Sequence, residues 1–287
     1  MGLCYNFMAF LALHLPRGTA LLLVRIITYL QYRANPVMRR RVRRNLRIVL
    51  NSIARARDAE KLESMVRETY YNFGLYIYEF LLIPRIDRNF VRDKIEIQGL
   101  DNLEAAFRKK KGVVSLTGHL GNWELAGIVT ALLGYPINAV ALPHKSSALN
   151  RFFMHRRQIK GIKVIPLGKQ TRRLISALRR NELVALLGDR TFGPPYLELN
   201  FFGRKALLPA GPAELSTRLG CPLVPGFLIR ENNRLSLCFE KPLEAETDQD
   251  IPTAVKNLAQ RSVVYLEKHI SAHPTQWLVF DNAIWLN

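Results

Sequence analysis

The order of apolar and polar positions divides the chain into two textures. Up to about residue 92 the pattern is helical. FMAFLAL (Phe7 to Leu13) is followed by HLPRG and then by TALLLVRIITYL (Thr19 to Leu30). The stretch Asp58 to Tyr71 is rich in helix formers and runs into NFGLYIYEFLLI, which ends before Pro84. From Lys94 short apolar runs alternate with longer amphipathic ones. KIEIQG, GVVSLTG, INAVAL, KVIPL and ELVALLGD predict strands. DNLEAAFRKKK, NWELAGIVTALLG, Ser146 to Ile159 and Gln170 to Arg180 predict the helices between them. This alternation specifies an α/β class, with a central, mainly parallel sheet flanked by helices. Past Asp189 the chain is richer in Gly and Pro. LELNFFG predicts a strand, and Pro212 starts a helix, Ala213 to Leu219, that Gly220 ends. PLVPGFLI and RLSLCFE form a final pair of strands joined at Glu231-Asn232-Asn233, and Thr253 to His269 predicts a closing helix. The chain therefore divides into an N-terminal helical region, 1–92, and an α/β body, 93–287.

Composition changes this picture in two ways. With 48% hydrophobic residues in 287 the chain can bury a sizeable core, which excludes general disorder. Lys and Arg number 42 against 23 Asp and Glu, a net charge of +19. Such a field attracts nucleic acid, an anionic membrane surface or an acidic protein without choosing among them. The apolar N-terminal runs are broken by His14, Pro16, Arg17 and Arg25, short of the ~20 apolar residues of a membrane-spanning helix. No small-residue cleavage site follows Leu30, which argues against a signal peptide. The segment suits a bilayer interface, the alternative being a pair of buried core helices. The run RRRVRRNLR (Arg39 to Arg47) lies directly after it, the placement expected for contact with anionic headgroups. No helix-turn-helix, zinc-finger or RNP signature accompanies the charge, so nucleic acid is not expected as a partner. The three cysteines, Cys4, Cys221 and Cys238, form no CxxC pair, against a disulfide framework or structural zinc.

The sharpest chemical signal is TGHLGNWE, Thr117 to Glu124. An apolar strand ends at Gly118, His119 occupies the turn, and a helix begins near Asn122. In open α/β sheets ligands gather at the carboxyl ends of strands, a good place for a general base. On one continuous helix, positions i and i+5 differ by about 500° and face apart. His119 meets Glu124 only if the chain folds back, and Gly118 and Gly121 give it that freedom. Glu124 would then fix the imidazole tautomer and stabilise the imidazolium. A purely structural histidine and a His/Glu metal site are the competing readings. No second His or Cys lies nearby at ligand spacing, so no metal is expected. Backbone N–H groups at Gly121 and Asn122 are candidate oxyanion donors. Asp189 and Arg190 end another strand. Arg190 is a candidate phosphate ligand, against an ion pair with Asp189 or Glu198, and Arg151 and Arg157 are weaker candidates for the same role.

His, four intervening residues and an acid after an apolar strand resembles the signature of the lysophospholipid acyltransferase superfamily. GHLGNWE is similar to the branch of the lipid A late (lauroyl and myristoyl) acyltransferases and the phosphatidylinositol mannoside acyltransferases. NLRIVLNS (Asn45 to Ser52), NFGLYIYEFL with Glu79, RFFMHRRQIKGIKVIPL, LLGDRTFGPP and NFFGRKALLPAGPAEL resemble further blocks of that branch in the same order, over roughly residues 35 to 280. The resemblance implies an acyl thioester donor, on acyl carrier protein or coenzyme A, and a hydroxyl on a lipid or glycolipid acceptor. It also implies no cofactor, His119 as base with Glu124 orienting it, and work at the cytoplasmic face of a bacterial inner membrane. Lys109 to Lys111, Arg172 and Arg173 are candidate contacts for acidic carrier protein. The tail HPTQWLVFDNAIWLN lacks the arginines that usually close the lipid A enzymes, and GDRTFGPP places Arg190 and Thr191 where relatives often carry other polar residues. Both departures leave the acceptor open among lipid A precursor, phosphatidylinositol mannoside, another glycolipid and a specialised lipid or pigment. A non-catalytic basic protein of the same fold that binds membranes or nucleic acid is the alternative.

Overall fold

The computed structural model describes residues 2–53, 59–143, 146–168, 171–191, 193–232, 234–281 and 284–286. Asp58, Gln170 and Asn233, at the ends of expected elements, lie outside them. Five helices come first: α1 (Gly2–His14), α2 (Arg17–Ala34), α3 (Pro36–Ser52), α4 (Ala59–Leu81) and α5 (Arg88–Lys94). Asn35 caps α3 by accepting from Met38 N–H at 3.0 Å, and Pro36 at the first helical position cannot continue α2. The body then alternates β1 (Ile95–Gln98), α6 (Leu100–Arg108), β2 (Val113–Thr117), α7 (Trp123–Leu132), β3 (Ile137–Ala141), α8 (Ser147–Gln158), β4 (Lys163–Pro166), α9 (Thr171–Arg179) and β5 (Leu183–Leu187). A hairpin, β6 (Tyr196–Phe201) and β7 (Arg204–Pro209), precedes α10 (Gly211–Leu219), β8 (Leu223–Glu231), β9 (Arg234–Phe239) and α11 (Ile251–Ala272).

Seven strands form one sheet in the order β1-β9-β8-β2-β5-β3-β4. Every neighbouring pair is parallel except β8 with β9. The expected α/β class with a mainly parallel sheet is the one observed. The last two strands do not close the sheet's edge, however. They insert between β1 and β2, joining strands whose local sequence says nothing about each other. β7 was not foreseen, because Phe202 and Gly203 turn the chain within a run of strand-like residues.

Both sheet faces are covered, so the central strands are apolar throughout. On one face Leu103 of α6, Ile128 and Val129 of α7 and Phe153 of α8 pack with Phe80 from the end of α4. On the other, Leu178, Ala213, Leu258 and Leu266 of α9 to α11 share a core with the hairpin and with Trp277 and Trp285 of the tail. The helices before β1 do not stand apart. Ile48 and Val49 of α3 join the second core, while Tyr32, Leu46, Val66 and Tyr70 form a smaller cluster of their own. Among the described residues no helix is long and apolar enough to cross a membrane. α1 and α2 nevertheless expose large apolar side chains, with Phe7, Phe10, Leu22 and Leu30 each 56–62% exposed.

Candidate active site

Two neighbouring parallel strands end alike, in LTGH (116–119) and LLGD (186–189). The β2–β5 register pairs Thr117 with Leu187, which sets His119 and Asp189 side by side. The glycines let the strands close: a Cβ on Gly188 would lie 2.2 Å from Leu116 Cδ1, and one on Gly118 would lie 3.2 Å from the Asp189 carboxylate. Asp189 is fully buried, and its oxygens are taken by three donors. Oδ1 accepts from His119 Nδ1 at 2.9 Å, and Oδ2 accepts from the His119 backbone N–H and the Trp277 indole N–H, each at 2.8 Å. Burial alone would raise the Asp189 pKa. The His119 charge and these hydrogen bonds outweigh it and hold the carboxyl below its ordinary range. A carboxylate only accepts, so the proton of neutral His119 sits on Nδ1 and Nε2 keeps its lone pair.

The turn after His119 is held from every side. Gly121 has φ of +60°, and a Cβ there would collide with Leu228 O at 2.0 Å. Its N–H donates to Gln276 O at 2.9 Å, and Asn122 N–H donates to Leu228 O at 3.0 Å. These two N–H groups are therefore not the oxyanion donors expected of them, since both are spent on fixing the turn. The Asn122 side chain caps α7, accepting from Leu125 N–H at 3.0 Å, and donates to Glu79 Oε2 at 2.7 Å. Glu79 in turn pairs with Arg230 at the end of β8.

The expected His119–Glu124 contact is also replaced. Glu124 lies in the first turn of α7 and is gripped by Arg157 of α8, with Nε at 2.8 Å and Nη2 at 2.5 Å. Burial works against the Arg157 charge, and Glu124 more than compensates, raising its pKa. The pair lines a cavity of about 230 Å³ with His119, Trp123 and Thr117 at one end and Ile137 and Leu183 at the other. Ile137 and Leu183 lie in the row of Val113, four residues below Thr117, so the cavity follows the strands for about 13 Å. The Trp123 indole stacks on Tyr76 at 4.3 Å and meets the His119 ring edge-on at 5.0 Å. Thr117 Oγ is buried in the same wall and has no hydrogen-bond partner among the described residues.

The other expected ligands disperse. Arg190 pairs with Asp281 at 2.7 Å, not with Asp189 or Glu198, which are held by His119 and Lys205. Arg151 is exposed on α8, and Arg157 is neutralised as described. Lys109, a carrier-protein candidate, pairs with Glu244. The residues that sequence reasoning missed come mostly from the tail. Trp277 and Asp281 reach Asp189 and Arg190, and Leu278 N–H donates to His119 O at 2.6 Å. Buried Asn45 holds that tail, donating to Val279 O and Asp281 O at 3.1 and 2.7 Å and accepting from the Trp285 indole at 3.0 Å. Among the described residues one trio has metal-ligand spacing, Cys238, Glu240 and His269. Glu240 there already accepts from Lys268 at 2.5 Å and pairs with His269 at 2.7 Å, tying α11 to β9.

Fold and geometry thus place the chain among α/β proteins whose site lies at the carboxyl ends of parallel strands, beside an apolar cavity. The chain belongs to the bacterial lipid A biosynthesis acyltransferase family, whose pattern it matches over residues 3–285. It is 29% identical over 212 residues to a phosphatidylinositol mannoside acyltransferase of Mycobacterium tuberculosis, a match covering 72% of this chain and 66% of that protein. The corresponding protein of Mycolicibacterium smegmatis is 25% identical over 240 residues, 82% of this chain and 76% of the relative. A lipid A biosynthesis palmitoleoyltransferase of Escherichia coli is 27% identical over 163 residues, 56% of this chain and 51% of its own length.

Proposed function

We propose that this protein transfers a fatty acyl group from a thioester, on acyl carrier protein or coenzyme A, to a hydroxyl of a membrane lipid or glycolipid. One observation carries the reading: His119, anchored through Nδ1 to buried Asp189, faces a narrow apolar cavity that fits a hydrocarbon chain. Nε2 takes the proton of the acceptor hydroxyl as its oxygen attacks the thioester carbonyl. The tetrahedral intermediate collapses with cleavage of the C–S bond, and the imidazolium returns the proton to the departing thiolate. Asp189 stabilises the imidazolium between these steps. The acyl chain lies along α7 between Trp123 and Ile137. Glu124 acts through Arg157, holding α8 against α7 and shaping the cavity wall.

The names of the relatives favour a glycolipid acceptor, a lipid A precursor or a phosphatidylinositol mannoside. The exposed apolar faces of α1 and α2 and the neighbouring arginines of α3 support contact with an anionic bilayer, which we place at the cytoplasmic face of the bacterial inner membrane. The test is transfer of label from acyl carrier protein and coenzyme A thioesters into a total bacterial lipid extract. Label should enter one lipid class with the parent and be lost with folded His119→Ala. Transfer that persists without His119, or a folded parent inactive with every donor, would contradict the proposal.

A further inference from the structure

A second and larger groove, of about 870 Å³, opens beside the catalytic turn. It lies between the α1–α2 turn, the end of α4, α5 and the first residues of β1 and β9. β8 runs parallel to β2, β9 runs back along β8, and β1 runs with β9. The groove therefore opens at the same sheet edge as His119. Glu79 and Arg230 stand in its wall, and Glu79 also holds Asn122, which caps the helix after His119.

The groove's charge is unbalanced. Six cations line it against three acids, Glu79, Asp93 and Glu96. Glu79 is committed to Arg230 and Asp93 to Arg92. Arg17, Arg85 and Arg234 make no side-chain hydrogen bond or ion pair among the described residues. Arg17 also lies close enough to Arg230 to add to the effect of burial, and both depress the Arg230 pKa. Like charges gathered around a hollow repel one another until an anion enters. Guanidinium groups suit phosphate oxygens in particular. The rest of the lining is apolar, including Leu15, Leu82, Ile86, Phe90 and Leu235. A small inorganic anion would leave these residues unused, whereas an amphiphile would engage them. Ala12, Leu15 and Arg17 bring α1, the turn after it and the start of α2 into the groove's wall, and both helices expose apolar side chains elsewhere.

We propose that this groove receives the phosphate of an amphiphilic lipid, with Arg17, Arg85 and Arg234 as its ligands and the Leu82–Phe90 wall against its apolar part. Identifying that lipid as the acceptor rests on the acyl-transfer reading; the phosphate site itself does not.

The test uses the full chain in dodecyl maltoside micelles and a fluorescent NBD-labelled phosphatidic acid, with NBD-labelled diacylglycerol as the neutral counterpart. Energy transfer from the protein's tryptophans reports binding. The parent should prefer the phosphate lipid by about tenfold or more, the ratio expected from one charge-assisted hydrogen bond. Arg17→Glu and Arg234→Glu should abolish the preference. Arg17 begins a helix, where an acid suits the dipole, so the first variant should fold. Lys256→Glu, an equal charge change on α11, should leave the preference intact. Absence of preference in the parent, its survival in both groove variants, or equal loss in Lys256→Glu would overturn the proposal. Displacement of the probe by equimolar inorganic phosphate would overturn its amphiphile part. Phosphate-lipid preference in a folded parent that transfers no acyl group would instead keep the groove and sink the acyl-transfer reading.

Discussion

At the residue scale, two acids compete for two bases, and the permanent charge of arginine settles the pairing. The His-x4-Glu spacing brings Glu124 into the cavity wall, yet Arg157, as buried as His119, cannot shed its charge as an imidazole can and needs a carboxylate partner more. Arg157 takes both oxygens of Glu124 and leaves the imidazole to Asp189. Removing one member of a buried pair strands the other. Glu124→Gln should therefore lower stability by about 3–5 kcal/mol, and Glu124→Leu/Arg157→Met should recover much of it, as measured by urea unfolding. Equal losses in the single and double variants would contradict the pairing. Glu182 is another acid with several partners: Arg180, Lys163 and Asn138 donate to it. Burial raises its pKa, but these donors prevail and depress it to about 2. Because the folded pKa is the lower one, the stabilisation is complete above 4.5 and is lost as pH falls toward about 2. Glu182→Gln should thus be less stable than the parent at neutral pH by about 1–3 kcal/mol, with the gap narrowing through that window. A gap constant with pH would exclude this origin.

The turn and both strand ends were legible as elements, but the partner of His119 was not chosen correctly from spacing alone. The signal was present: LTGH and LLGD are two apolar strands, each ending in Gly and a titratable residue. Parallel strands in register bring such ends together. What sequence did not reveal was that β2 and β5 are neighbours, because their pairing spans about seventy residues and has no local cause. The tail residues were hidden for the same reason. Asn45 and Trp285 lie at opposite ends of the chain, and only the fold shows that one clamps the other.

At the scale of elements, α7 does two jobs: its first turn stabilises the loop that carries His119, and its inner face forms a wall of the cavity. Gly127 is the thin point of that wall. A Cβ there would lie 3.3 Å from Ile162 Cδ1 and 3.6 Å from Ile137 Cδ1, at the end of the cavity away from His119. Gly127→Val should therefore shorten the preferred acyl chain while sparing transfer of short chains. Rates across a series of acyl thioesters measure this. A uniform loss at all lengths would mean that the acyl chain lies elsewhere. β8 and β9 matter in a different way. By inserting beside β2 they bring Leu228 O and Arg230 against the turn that carries His119. The predicted order of elements was largely right, but their order in the sheet became clear only from the structure.

For the whole molecule, the proposed membrane contact combines the +19 net charge with the exposed apolar side chains of α1 and α2. Electrostatic attraction to anionic vesicles should weaken as the Debye length falls from ~10 Å at 0.1 M salt to ~3 Å at 1 M. Contact through Phe7, Phe10 and Leu22 should persist. In flotation with phosphatidylcholine–phosphatidylglycerol vesicles, the parent should keep part of its binding at high salt, and Phe7→Ser/Phe10→Ser/Leu22→Ser should lose that part. Complete release of the parent by salt would make the contact purely electrostatic.

The central claim is that Asp189 makes His119 the base. It is tested most directly by the single-turnover rate of acyl transfer in folded Asp189→Asn. The amide in place of the carboxylate keeps the shape but favours the wrong tautomer and cannot stabilise the imidazolium. The account predicts a fall of about 10²–10⁴ with acceptor binding retained. A rate close to the parent's would contradict it.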